Sequence, residues 1–244
     1  MKALLNNKLA PVTFSIGFFQ CSVEEAFKAY KNWRNELFAN VETLRLEPST
    51  LKQHLLSLQP FQVPPRTELL LETRGEWTAY FNNDTTGTDP AGISYIAQAL
   101  GCHSVYSCCE PSFPPSKKRK HGVWGSVQFA MYGPEQVREY DNCIRALAAH
   151  NEGGRWEFRE TGVMQEFEEP EKYRSETRIK NRFTDEMLER YCKALGIDLF
   201  SESFYGPEAY LIRIKDKLVF EPELLSLAEL QKKLPMKELR SQLT

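Results

Sequence analysis

Residues 12–37 constrain this chain more than any other stretch. Val12, Phe14, Ile16 and Phe18 alternate with Thr13, Ser15 and Gly17, a period of two that puts apolar groups on one side of a strand. Ser22-Val23-Glu24-Glu25 follows. It has the form of a capping box, in which the serine accepts from the amide three residues on and that residue's carboxylate reaches back to the cap amide. Val23, Ala26, Phe27, Tyr30, Trp33 and Leu37 then recur at helical spacing, the stripe of a helix with one buried face. A strand that runs straight into a capped helix points to folds in which helices pack on a sheet.

The rest of the chain repeats these signals. A strand is predicted over 41–46 and a helix over 49–58, then a loop over 60–66 that holds Pro60, Pro64 and Pro65. Strands over 67–73 and 77–82 flank the tight turn Arg74-Gly75-Glu76. A polar loop reaches Pro90, and a helix over 91–100 closes at Gly101, the residue that tolerates a left-handed cap. A further strand covers 104–109. Beyond it, a strand over 124–132 carries Val127, Phe129 and Met131 on one face. Val137, Tyr140, Ile144, Leu147 and Ala148 read as the stripe of a helix that Gly153-Gly154 ends, and strand resumes over 155–159. Thr184 caps a helix whose buried face is Met187, Leu188, Tyr191, Cys192 and Leu195. A hairpin is expected from 210–214 and 218–220 around Lys215-Asp216-Lys217. A last helix opens with the Ser226 and Glu229 capping box and stops before Pro235, leaving a polar tail.

The fold class expected is α+β, with mixed or antiparallel sheets and helices packed on one side. Two organisations fit: one compact domain over 1–244, or two related βα-containing halves, 1–110 and 123–244. In the second case 111–122 is the linker, with Pro111, Pro114, Pro115 and the run Lys117-Lys118-Arg119-Lys120. At an offset of 111 residues Ser15, Ile16, Phe18 and Glu24 fall on Ser126, Val127, Phe129 and Glu135, which suggests a duplicated unit, although any strand followed by a capped helix gives a similar match.

A net charge of −2 and a pI near 6.2 argue against nucleic acid, whose binders concentrate Lys and Arg to displace counterions. The run 117–120 then reads as a solvated loop. No apolar run approaches the roughly 20 residues that span a bilayer, and Ala3-Leu4-Leu5 is too short for a signal peptide core. The expectation is a cytoplasmic protein without membrane contact. Six cysteines without regular spacing read as free thiols in such a compartment. Cys102-His103, Cys108-Cys109 and His121 form the one grouping with metal-ligand chemistry, but neighbours on a strand point to opposite faces, so packing is expected and no metal. The motifs GxSxG, GxxxxGK[ST] and GxGxxG are missing, and no cofactor is expected.

The densest mixture of aromatic and polar groups lies at Arg74, Glu76, Trp77, Tyr80, Asn82, Asp84 and Asp89. Residues 165–171 add an acidic connector with Glu166, Glu168 and Glu169. Trp, Tyr and Arg are favoured interface anchors, and these residues are the candidate binding surface. The alternative makes Glu76, Asp84 and Asp89 the carboxylates of a hydrolase or transferase, or simply the polar residues of an ordinary turn.

Two stretches, 75–83 (GEWTAYFNN) and 182–197 (RFTDEMLERYCKALGI), resemble a family of uncharacterised bacterial proteins of similar length. The resemblance implies a bacterial, cytosolic setting and assigns no site residues. The functional expectation is a non-enzymatic protein-binding module, specifically an immunity protein that neutralises a toxin.

Overall fold

The β-then-α unit at the start forms as its pattern demands. In the computed structural model, which describes residues 2–115, 122–137 and 142–241, β1 (Ser15–Phe19) leads into α1 (Val23–Leu37). Both halves of the Ser22/Glu25 capping box are made: Glu25 N donates to Ser22 Oγ at 3.3 Å and Ser22 N to Glu25 Oε2 at 2.9 Å. Then come β2 (Val41–Leu46), α2 (Leu51–Leu56), β3 (Thr67–Thr73), β4 (Thr78–Asn82), α3 (Ala91–Leu100) and β5 (Ser104–Glu110). The second half holds β6 (Ser126–Tyr132), β7 (Cys143–Glu152), β8 (Arg155–Gly162), α4 (Pro170–Ser175), α5 (Asp185–Ala194), β9 (Tyr205–Ile214), α6 (Leu227–Lys232) and α7 (Met236–Ser241).

The strands form one nine-stranded sheet in the order β2-β9-β3-β4-β1-β5-β6-β7-β8, antiparallel at every pairing. It runs unbroken across the residues where a linker is predicted: β5 and β6 pair directly from Ser104↔Tyr132 to Glu110↔Ser126. Residues 111–122 therefore belong to a connection between neighbouring strands. Those from 116 to 121, including the basic run and His121, lie outside the described residues.

Helices pack on both faces of the central strands, which corrects the expectation of helices on one side. Ile16, Phe18, Leu69, Leu71, Phe81, Val105, Phe129 and Leu211 pack with Leu51 and Leu55 of α2 and Met187, Leu188 and Tyr191 of α5. The alternate residues Phe19, Leu70, Tyr80, Tyr210 and Ile212 meet Val23, Ala26 and Tyr30 of α1 and Ile93 and Ile96 of α3. Gly17 marks how close α3 lies: a Cβ there would sit 2.7 Å from Ile93 Cδ1, so a larger residue would make the Ile93 side chain shift.

Three further expectations fail for physical reasons. Residues 143–152 are a strand where a helix is predicted. Arg145, Leu147 and Ala149 point to one side and Ala146 and Ala148 to the other, and pairing on both edges, to β6 and β8, overrides helix propensity. Gly153 and Gly154, at φ 62° and 97°, are the two-residue turn of a β7–β8 hairpin rather than a helix stop. Tyr140 of the expected stripe lies outside the described residues. With a strand after β6 in place of a helix, the duplicated βα unit does not hold. Second, 218–220 is no strand. The partners of β9 are β2 and β3. Third, the tail after Pro235 forms α7 and buries Leu239 against Ala10, Phe14 and Phe113.

Candidate functional site

A hollow of about 690 Å³ opens where β1 hands over to α1 beside the β3–β4 turn. Cys21, Ser22, Glu24, Glu72, Glu76 and Glu208 line it. Its charge is acidic. Hydrogen bonds from Ser22 hold the neighbouring Glu25 carboxyl below its ordinary value, and Glu208 pairs with Arg45 at 3.1 Å. Glu72 lies against β9, where a Cβ on Gly206 would come within 2.5 Å of Glu72 Oε2. A side chain at that position would make the Glu72 carboxylate shift.

Of the predicted surface, Glu76 lines this hollow and Arg74 is exposed beside it. Trp77 is not a surface anchor. It is buried, and its Nε1 donates to Leu195 O at 2.8 Å. That bond ties the β3–β4 turn to the end of α5, so residues 75–83 and 182–197 touch. Tyr80 and Asn82 are buried as well. Tyr80 donates to Glu68 Oε1 at 3.2 Å, and Asn82 Nδ2 donates to the Tyr80 hydroxyl at 3.2 Å. Asn82 Oδ1 also accepts from the amides of Asp84 and Asp89, which shapes the loop that follows.

Asp84 and Asp89 serve that loop. Asp84 Oδ1 accepts from Thr86 N at 2.9 Å, and Asp89 Oδ1 from Ala91 N at 2.9 Å at the start of α3. The whole of β4 separates them from Glu76, roughly 16 Å at the rise of an extended chain. These three carboxylates do not gather in one cleft, which the hydrolase or transferase alternative requires.

The acidic connector also differs from its solvated reading. Glu166 is exposed, but Glu168 is buried against Arg145, whose Nε and Nη2 reach its two oxygens at 2.9 and 2.7 Å. Glu160 adds a bond to Arg145 at 2.6 Å, and Tyr173 donates to Glu168 at 3.0 Å. Glu169 pairs with Lys172 and Arg190. A second buried pair, Arg34 with Glu68, lies between α1 and β3. Sequence reading missed both arginines. The available signal at Arg145 was a lone charge inside the apolar run 143–149.

Among the cysteines, Cys108, Cys109 and Cys192 are buried, and burial pushes the Cys108 thiol up to about 12. Among the described residues no group of three or more His, Cys, Asp and Glu side chains is placed to hold a metal ion.

A different surface emerges after β9. The base of the 215–225 loop is pinned: Asp216 accepts from the amides of Ala39 and Asn40 at 3.3 and 2.9 Å, and Leu225 exchanges two backbone bonds with Phe61. Its tip is not. Val219 is 105% exposed, Phe220 57% and Leu224 56%, with Val63 at 55% nearby in sequence to the pinned Phe61. A hollow of about 450 Å³ opens beside this tip, lined in part by Arg66, Leu218, Phe220 and Leu224. Leu225 and Val63 border a smaller cavity of about 310 Å³.

Comparison with known proteins finds no matching family model, curated protein or solved structure. Among the described residues no helix is long and apolar enough to cross a membrane.

Proposed function

We propose that this chain is a protein-binding module, and specifically a bacterial immunity protein that neutralises a toxin in the cytoplasm. The observation that supports the reading is the apolar tip Leu218-Val219-Phe220 with Leu224, held out on a base that Asp216 and the Phe61–Leu225 bridge fix in place. Each large apolar side chain left in water forgoes about 1.5–3 kcal/mol available on burial. A loop with a fixed base that keeps several of them exposed is suited to a partner protein that covers them. A fixed base also lowers the ordering cost of binding. The partner is a protein with an apolar groove able to take Phe220 and Val219 as anchors, the pattern in which a few central residues carry the affinity.

The test is co-expression with the product of the gene beside it. Wild-type chain is expected to relieve growth arrest caused by that product and to co-elute with it. Val219→Asp combined with Phe220→Asp is expected to lose both effects while melting at the wild-type temperature. A neighbouring product that causes no arrest, or arrest that the wild-type chain leaves untouched, overturns the toxin reading. Binding that survives the double substitution overturns the assignment of the surface.

A further inference from the structure

Counting along the β1–β5 register brings two cysteines face to face. The last ladder pair is Phe19↔Ser104, and Gln20 N donates to His103 O at 2.9 Å one step further. The next opposed pair is Cys21 and Cys102. Cys109 N donates to Phe14 O at 2.7 Å at the other end of the ladder, and the bonded pairs alternate from there. The ladder ends there, with Cys21 N donating to Phe19 O at 2.9 Å and Cys102 N to Ala97 O at 3.0 Å, so the two cysteines lie just past its last bond. Residues opposed across an antiparallel pair hold their Cα atoms roughly 4.5–5.5 Å apart, within the roughly 4.4–6.8 Å that a disulfide spans. Both residues are half-buried, unlike Cys108, Cys109 and Cys192.

Interaction between the two thiols pulls Cys102 below its ordinary value and pushes Cys21 far above it. A backbone bond from Gln20 also favours the Cys102 thiolate. Of the two, Cys102 is the sulfur whose thiolate is favoured, and it is the better nucleophile. Cys21 lines the acidic hollow with Glu24, Glu72, Glu76 and Glu208.

We propose that Cys21 and Cys102 form a reversible dithiol–disulfide site that exchanges with small cationic disulfides. The Cys102 thiol gives up its proton as its sulfur attacks the small disulfide and breaks the S–S bond, and the first small thiol leaves with that proton, leaving a mixed disulfide on Cys102. Cys21 then gives up its proton and attacks the Cys102 sulfur, and the second small thiol leaves with that proton. Two protein thiols are oxidised, one external disulfide is reduced to two thiols, and the atoms balance. The bond formed ties the start of α1 to the end of α3. The carboxylates around the hollow select the charge of the reagent, since a field of one sign concentrates ligands of the other.

The experiment treats the intact chain with cystamine, a dication, or with oxidised glutathione, an anion. Remaining thiols are alkylated and the linked peptides mapped by mass spectrometry. Wild type is expected to yield a Cys21–Cys102 link that dithiothreitol reverses. Cystamine is expected to react on the order of tenfold faster at low salt, with the gap narrowing as salt rises. Cys21→Ser is expected to stop at a mixed disulfide on Cys102, and Cys102→Ser to leave Cys21 unreacted over the same time. Wild type that stops at a mixed disulfide, or links a different pair, overturns the site. Equal rates for the two reagents overturn the steering by the carboxylates, and rapid reaction at Cys21 in Cys102→Ser overturns the order of attack.

Discussion

The central strands β1, β3 and β4 are buried along nearly their whole length, whereas β7 alternates between buried and half-exposed and β8 is mostly exposed. The difference lies in what covers the second face. Over β1, β3, β4 and β9 it is α1 and α3. Over β7 and β8 that face carries Ala146, Ala148, Arg159 and Thr161 around a shallow hollow of about 290 Å³. Sheet faces that lack a helix stay small and polar, while faces that have one fill with Leu, Tyr and Phe. The outer strands are not weak throughout, because their first face holds the buried Arg145–Glu168 pair.

The sharpest way to break this contrast is Arg145→Ala. It strands Glu168 without its partner in the interior, and about 3–5 kcal/mol of stability should be lost in a urea melt. Replacing the exposed Arg159, paired with Glu157 at 2.7 Å, should cost no more than about 1 kcal/mol. Next, Leu70→Ala under α1 should cost about 2–5 kcal/mol, whereas Ala148→Ser on the open face should shift stability by less than about 0.5 kcal/mol. Equal effects at the two positions would mean that the second face of β7 is covered after all.

A pH-dependent effect concerns Glu110, at the end of β5 where one regime gives way to the other. Burial pushes its carboxyl from 4.5 up to about 7, so the native chain keeps a proton that the unfolded chain releases. Stability attributable to this group is therefore full below pH 4.5 and falls as pH rises from 4.5 to about 7. The loss is on the order of 1–2 kcal/mol, the group being partly solvated. Glu110→Gln should remove that slope from a series of urea melts. An unchanged slope would place the titration elsewhere.

Elements whose signals are local were legible in the sequence. The Ser22, Thr184 and Ser226 caps, the Gly101 stop at φ 63° and the β3–β4 hairpin all depend on residues within a few positions of one another. What could not be read there depends on distant partners. Ala146 to Ala149 suit a helix until β6 and β8 pair on either side. Trp77 and Tyr80 look like interface anchors until Leu195 and Glu68 claim their polar atoms. Of the candidate site, Glu76 and Arg74 stay at the surface. Asp84 and Asp89 are taken up by their own loop, and Glu168 by an arginine 23 residues earlier. The facing of Cys21 and Cys102 needs a strand register that spacing alone does not supply.

The position of β9 bears on how the chain matures as it is made. Tyr205–Ile214 sits between Val41–Leu46 and Thr67–Thr73, so a nascent chain that has not yet reached residue 205 has a vacant slot in its sheet. One flank of the slot is a strand with bare amides and carbonyls, the kind of edge that recruits neighbouring molecules. This part of the sheet closes only once residues 205–214 have been made, and copies that stop short of them carry an open edge.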